Sequence, residues 1–278
     1  MNDREKQKAF GAELRTFKQQ YFTTRNQALG QVDEVLAAGL VQIRAILAAA
    51  PSDYQSWILP QLESQIQIAL RAVERQASEI TSKAVQESWD NGILLIDTPL
   101  QAATVSVSAM LPAIDSRQLL AIQNFSIGKI AGITTEIANK INTQLGLVMM
   151  GVQPVGDAIN VITSIMEQGD RARTLGIIRT ELGRVNSLSS HLRKLQAAQY
   201  LPGMQKLWRQ SGKLHPRETH VLADGQIRDV DKPFNIGGVD MMHPHDPKAP
   251  AKEVINCGCY SLPHMAHWTV KIPGKLPV

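Results

Sequence analysis

The side chains with the most chemical potential lie near the C-terminus, in the stretch EVINCGCYSLPHMAHW. It holds the only two cysteines, Cys257 and Cys259, one residue apart. A C-x-C pair does not readily close a disulfide on itself, because the sulfur geometry is demanding. Six of the seven histidines fall between His215 and His267, beside those sulfurs. Thiolates and imidazoles are the ligands that zinc prefers. A closed tetrahedral site would take Cys257, Cys259, His220 and one of His243 or His245, and it would be structural. The competing reading makes the cysteines small buried hydrophobes and the histidines loop residues. A catalytic metal is the other chemistry these residues allow, in a metal-dependent hydrolase or nuclease. It needs an open coordination position and a base, for which Glu218, Asp224, Asp246 and Glu253 are unranked candidates. The chain has no G-x-S-x-G, no phosphate-cradling glycine loop and no H-E-x-x-H.

These residues need a scaffold. The last seventy or so residues are dense in Pro and Gly and poor in apolar bulk, so burial alone holds them weakly and a metal helps most there. Asp224-Gly225, between short apolar runs, reads as a hairpin turn; NIGG and HPHDPKAP read as loops.

The first two thirds are helical in texture. Phe10, Leu14, Phe17, Tyr21, Ala28, Val32, Val35, Gly39, Ile43 and Ile46 recur at steps of mostly three and four along one long helix. Pro51 breaks it, and Ser52 or Asp53 can cap the next. Leu62, Ile66, Ala69, Val73, Ala77, Ile80 and Ala84 form the second seam, giving an antiparallel hairpin. From Asn91-Gly92 onward, with Pro99 and Pro112, the pattern reads as an irregular connector with a short strand at Ala103–Ser108. Asp115 then caps a helix through Ile130, Ile133, Ile137, Ile141, Leu145 and Val148. Pro154 opens another, and a third begins near Asp170 with Leu175, Ile178, Leu182, Val185, Leu188, Leu192 and Leu195 as its seam. Arg173, Arg179, Glu181, Arg184 and Asn186 flank that seam. Such charges ordinarily form a solvated face; the functional alternative is that Arg179 and Glu181 bury and dock the tail.

Composition bounds the rest. With 278 residues, 44 % apolar, 5 % aromatic and a net charge of +4, the chain is a foldable, aliphatic, mildly basic protein. No Lys/Arg run marks a dedicated nucleic-acid footprint. MNDREKQKAF lacks the apolar core of a signal peptide, and no apolar run is long enough to span a bilayer. A reducing cytoplasm is therefore expected.

The order ARTLGIIRTELGRVNSLSSH, KLWRQSGKLHPRETHVLADGQIRDVDKPF, HPHDPKAPAKEVINCGC resembles the Mu F-like phage head-morphogenesis (minor head protein) family over about residues 137–263. The matching residues are Arg179, Thr180, Glu181, Arg184 and Asn186; Trp208; Arg217 and His220; Leu222 and Gly225; Asp229, Asp231 and Phe234; and Asn256, Cys257 and Cys259. The resemblance implies a minor head protein at the portal vertex, binding portal and other head or capsid proteins. It would act in the host cytoplasm during assembly and in the virion, with a role extending to packaged DNA or its exit route. No membrane and no small-molecule substrate is implied. Arg179, Glu181, Arg184, Asn186 and Trp208 become structural or docking residues. Some relatives place C-x2-C where this chain has Arg217 and His220, completing a zinc site with the terminal C-x-C. Here Arg217 replaces one ligand, and Gly258 replaces an Arg between the cysteines. Some relatives also carry an enzymatic domain after the C-x-C, for which residues 260–278 leave no room. The N-terminal helices carry no assignable motif and suit a stalk or a surface for a multimeric partner.

The reading is a mainly α protein without enzymatic activity. A long helical hairpin and connector (1–112) and a helical body (113–202) precede a small α+β or β-hairpin module (203–278) that holds the candidate zinc ligands.

Overall fold

The computed structural model describes residues 1–49, 59–103, 111–210 and 216–267. The protein is mainly α. Five helices come first: α1 (Asp3–Ala48), α2 (Leu59–Ala102), α3 (Ser116–Met149), α4 (Val155–Ser164) and α5 (Arg171–Ala198). A wide π-helical turn, Ile165–Asp170, joins the last two. A small strand-bearing module follows: β1 (Met204–Arg209), α6 (Glu218–Ala223), β2 (Ile227–Asp229), β3 (Phe234–Ile236), β4 (Val239–Met241), α7 (Ala251–Val254) and β5 (Tyr260–Met265).

Local chemistry explains the helix starts. Asn2 accepts from the Glu5 amide at 2.9 Å and its own amide donates to the Glu5 carboxylate at 3.0 Å, a reciprocal capping box. Asp115 caps α3 through the Arg117 amide at 2.9 Å. The expected break at Pro51 and the strand beyond Ala103 lie outside the described residues.

The chain forms two compact units, each assembled from non-consecutive segments. One comprises residues 26–84 and 123–178. Its core brings Leu40, Ile43 and Leu47 of α1 together with Ile66, Ala69 and Leu70 of α2 and Ile133, Ile137 and Ile141 of α3. The α1–α2 approach is close: a Cβ on Gly39 would lie 2.4 Å from a Val73 methyl. Six of the seven predicted α2 seam residues are buried, and Ile80 is half-buried. On α1 the buried line runs through Leu36, Leu40 and Leu47, leaving Val35 and Ile46 half-buried.

The other unit comprises residues 1–25, 85–122 and 179–278. Two sequence expectations fail within it. Asn91-Gly92 is not a turn but lies inside α2, which continues past Pro99 to Ala102. Gly92 is there for close approach, since a Cβ would meet Ser189 Oγ at 2.0 Å and the Asn186 carbonyl at 2.6 Å. Pro99 gives up the hydrogen bond its missing N–H would make to the Leu95 carbonyl, and α2 runs on only three residues beyond it. Asp224-Gly225 likewise makes no hairpin; it links α6 to β2. The hairpin is β3–β4, closed by Gly237-Gly238 with φ of 57° and 85°, the left-handed pair that a tight primed turn requires. The main sheet is antiparallel in the order β2-β1-β5, with Leu207 opposite both Ile227 and Leu262.

Helix α5 departs furthest from a single apolar seam. Ile178, Leu182 and Val185 are buried, but so are Glu181, Asn186, His191, Arg193 and Lys194, while Leu175, Leu188, Leu192 and Leu195 are only half-buried. The solvated-face expectation holds for Arg173, which is exposed, and fails for Glu181 and Asn186, which are buried with polar partners, as are the neighbouring Arg193 and Lys194. Arg193 grips Asp97 at 2.6 and 2.5 Å and the Pro112 carbonyl at 2.9 Å. Lys194 donates to the Ser261 carbonyl and hydroxyl at 2.9 and 2.7 Å.

Candidate metal centre

Within the strand-bearing module, Trp208, next to last in β1, is fully buried. Its indole meets Phe234 edge-on at 5.3 Å and His220 at 5.9 Å between ring centres. Around this aromatic post pack Ala223, Ile236, Met241, Val254, Cys257 and Cys259. Trp208 thus organises the module core. The segment 211–215, which contains His215, lies outside the described residues.

Short helix α6 carries His220 inward, and two residues past the end of α7 a left-handed Asn256 (φ 53°) turns the chain into Cys257-Gly258-Cys259. Asn is one of the few side chains that adopt this conformation readily. The turn is anchored to α5, because the Asn256 amide donates to Thr180 Oγ1 at 3.1 Å. Arg217 donates to the Ile255 carbonyl at 2.5 Å and so holds the same turn.

His220, Cys257 and Cys259 converge, their ligand atoms all within 4.8 Å of one another. His220 Nδ1 lies 3.3 Å from Cys259 Sγ and 3.6 Å from Cys257 Sγ. An ion bound tetrahedrally, with bonds of about 2.3 Å to sulfur and about 2.0 Å to nitrogen, separates such a pair by about 3.5 Å. The three groups fit a metal. The other ring nitrogen, Nε2, donates to Glu253 at 2.9 Å, and Thr219 donates to the same carboxylate oxygen at 3.2 Å. A carboxylate behind an imidazole fixes its tautomer and turns the free lone pair toward the ligand position.

Electrostatics favour the ligating thiolate of Cys257, whereas His220 must give up a proton to ligate. Hydrogen bonding from Cys259 lowers the Cys257 pKa well below the thiol range, against the opposing effect of burial, and His220 adds to the lowering. Burial opposes protonation of His220, but Cys257 and then Glu253 outweigh it and raise its pKa. A Cys–His–carboxylate line is also the arrangement of an activated nucleophile. Here Cys257 is only 2 % exposed and His220 2 %, which suits holding an ion better than meeting a substrate.

The fourth ligand is not as expected. His243 is buried, but its Nδ1 bonds the Pro244 carbonyl at 2.8 Å and its ring faces His191 at 5.3 Å. His245 is also buried, with its ring against Gly183. Neither belongs to the His220–Cys257–Cys259 group. The H-P-H loop is taken up by packing on α5. Gly183 shows how tightly: a Cβ there would lie 2.5 Å from the His245 ring.

The acidic candidates have structural partners. Asp224 accepts from Arg209 and from the Gln210 amide, each at 3.0 Å. Asp246 accepts the Met242 and Lys248 amides at 2.8 and 3.0 Å, and Glu253 orients His220. Glu218 is exposed at the start of α6. Among the docking candidates, Glu181 takes two bonds from Arg184 at 3.1 and 2.8 Å. Asn186 joins α5 to α2 through the Ser88 carbonyl and Asn91 side chain, both at 3.2 Å. Arg179 is half-buried.

Sequence reasoning missed Lys194, Lys206 and His191, all buried beside this module. Lys206 donates to the Met242 carbonyl at 2.8 Å and lies 4.9 Å from the centre of the Phe234 ring. The usable signal was the run of small residues Gly183, Ser187 and Ser190 on α5, which permits close packing around a long polar side chain.

Comparison with known proteins gives limited matches. A segment of 103 residues is 37 % identical to the uncharacterized protein YqbB of Bacillus subtilis, covering 35 % of this chain and 32 % of that protein. A segment of 95 residues is 33 % identical to NAD(+)--arginine ADP-ribosyltransferase EFV of Enterococcus faecalis, covering 32 % of this chain and 18 % of that protein. The chain thus spans about a third of one relative and under a fifth of the other. No family model matches the chain, and no solved structure matches it significantly.

Proposed function

We propose that this chain is a minor head protein of the Mu F-like kind, a non-enzymatic assembly component that binds portal and capsid proteins. What carries the reading is the convergence of the family-like residues on one buried joint. Thr180 of α5 holds Asn256, Glu181 holds Arg184, and His220 faces Cys257 and Cys259 beneath Trp208. Such a joint fixes the orientation of a compact module and commits its polar groups to that task. Work would take place in the host cytoplasm during assembly and in the virion, where contact with packaged DNA is part of the same proposal. Among the described residues no helix is long and apolar enough to cross a membrane. Most of the matched ADP-ribosyltransferase lies outside the shared segment, so its named activity is not carried to this chain.

The metal in this proposal is one structural zinc. His220, Cys257 and Cys259 would hold it, with Glu253 orienting the imidazole. The ion would supply cross-linking of α6 to the cysteine turn.

The test is affinity capture of the tagged full chain from cells making the whole set of head proteins, followed by mass spectrometry. Recovery of portal or capsid protein is expected. Capture that returns neither, from protein shown to be folded, rejects the assembly role. Elemental analysis of the same preparation should give close to one zinc per chain.

A further inference from the structure

Beside the cysteine turn lies a small cavity, partly open to solvent, that the metal does not explain. One wall is α1, through Lys18, Tyr21 and Arg25; the other includes His245, Gly258 and Tyr260. Its volume of about 20 Å³ suits one or two waters or the head of a carboxylate.

The wall is electropositive. Lys18 Nζ donates to the Tyr260 hydroxyl at 2.6 Å and sits 4.4 Å from the centre of that ring. An ammonium has three donors, so this bond leaves others for an incoming acceptor. The Arg25 guanidinium lies 4.7 Å from the centre of the Phe22 ring and 5.6 Å from that of Tyr21. Its Nε is buried with no acceptor. His245 is 2 % exposed and burial lowers its pKa, so it adds no positive charge to the wall. Among the described residues lining the cavity there is no Asp or Glu. Cys257 also lines the cavity and is its one counter-charge, so two cations and an Arg25 Nε without an acceptor leave the wall net positive. Gly258 matters as well, because it adds no side chain to fill the space.

We infer that this cavity is a carboxylate-binding site and that its occupant is an Asp or Glu side chain of a partner protein. Charge selects an anion, and the small volume selects a carboxylate head over a bulkier group. The partner in this statement rests on the assembly reading above, whereas the site itself does not. The expected contacts are charge-assisted hydrogen bonds from Lys18 and Arg25.

The full chain is titrated with N-acetylglutamate amide at constant ionic strength set by chloride, following backbone amide shifts of Gly258 and Cys259 by NMR. Saturable shifts are expected, weakened about tenfold or more in Lys18→Gln and in Arg25→Gln, since each loses a hydrogen bond to a charged group. Should Arg25→Gln unfold, Lys18→Gln decides, because it alters a half-buried side chain on a helix surface. Absence of saturation overturns the site, as does equal binding by wild type and the folded variants. Binding of inorganic phosphate without binding of N-acetylglutamate amide overturns the acidic-side-chain assignment in favour of a phosphate source. The probe is independent of portal or capsid protein, so a failed capture experiment and a failed titration remain distinguishable.

Discussion

Replacing His191 with leucine should flatten the acid sensitivity of this protein by a predictable amount. His191 is 6 % exposed, its Nδ1 has no hydrogen-bond partner, and burial pushes its pKa from 6.5 to about 2, with Lys194, His243 and Lys206 adding to the depression. The folded chain therefore refuses a proton that the unfolded chain accepts at any pH between about 2 and 6.5. Stability held above pH 6.5 is lost as pH falls through that window, at about 1.4 kcal/mol per unit. From pH 7 to pH 4.5 the window crossed is roughly two units, so His191 alone costs wild type about 3 kcal/mol. A leucine carries no such linkage and leaves no orphaned nitrogen. Urea unfolding at pH 7.0 and 4.5, at fixed ionic strength, gives the two stabilities for each protein. The variant should lose about 3 kcal/mol less than wild type on acidification. Carboxylates and any bound metal affect both proteins alike and cancel in that difference. A difference below about 1 kcal/mol means that His191 is hydrated or charged in the folded state, and the enclosed picture of α5 fails with it.

Two further outcomes follow from geometry. Glu253→Gln should weaken zinc binding by about 10- to 100-fold in a competitive chelator titration while leaving the far-ultraviolet circular dichroism unchanged, because it removes only the carboxylate behind His220. Gly92→Ala should destabilise by about 1–3 kcal/mol through its clash with the Asn186 carbonyl, whereas Gly132→Ala, with open space around it, should stabilise by about 0.5–1 kcal/mol; urea midpoints of the same sign for both would contradict the close α2–α5 approach.

Gly92 also shows why part of this fold was legible and part was not. Periodicity reports on the local face of one helix, and it located the seams of α2 and α3, where burial is one-sided. It is silent on how near a neighbouring helix comes. An Asn-Gly pair in a turn and an Asn-Gly pair wedged against a second helix have the same composition. Only the Ser189 and Asn186 contacts, nearly a hundred positions away in sequence, separate them. Lys194 fails for a related reason. Its partner Ser261 lies 67 positions on, so the sequence around it reads as an ordinary charged helix surface.

The metal candidates divide along the same line. His220, Cys257 and Cys259 were legible because soft ligand types are rare in this chain and crowd into one poorly cored segment. Choosing between His243 and His245 was beyond the sequence, since both stand in one H-P-H loop and either could face the sulfurs. Backbone decides it. His243 is turned onto the Pro244 carbonyl and His191, and His245, at φ 60°, is fixed against Gly183. The bare Gly183 on α5 thus accepts the His245 ring, while the Pro244 carbonyl and His191 hold His243. The Cys257–Cys259 turn then keeps one side next to the cationic wall of α1. For that reason the orphaned Arg25 Nε, a donor that can never ligate a cation, is matched to an incoming acceptor.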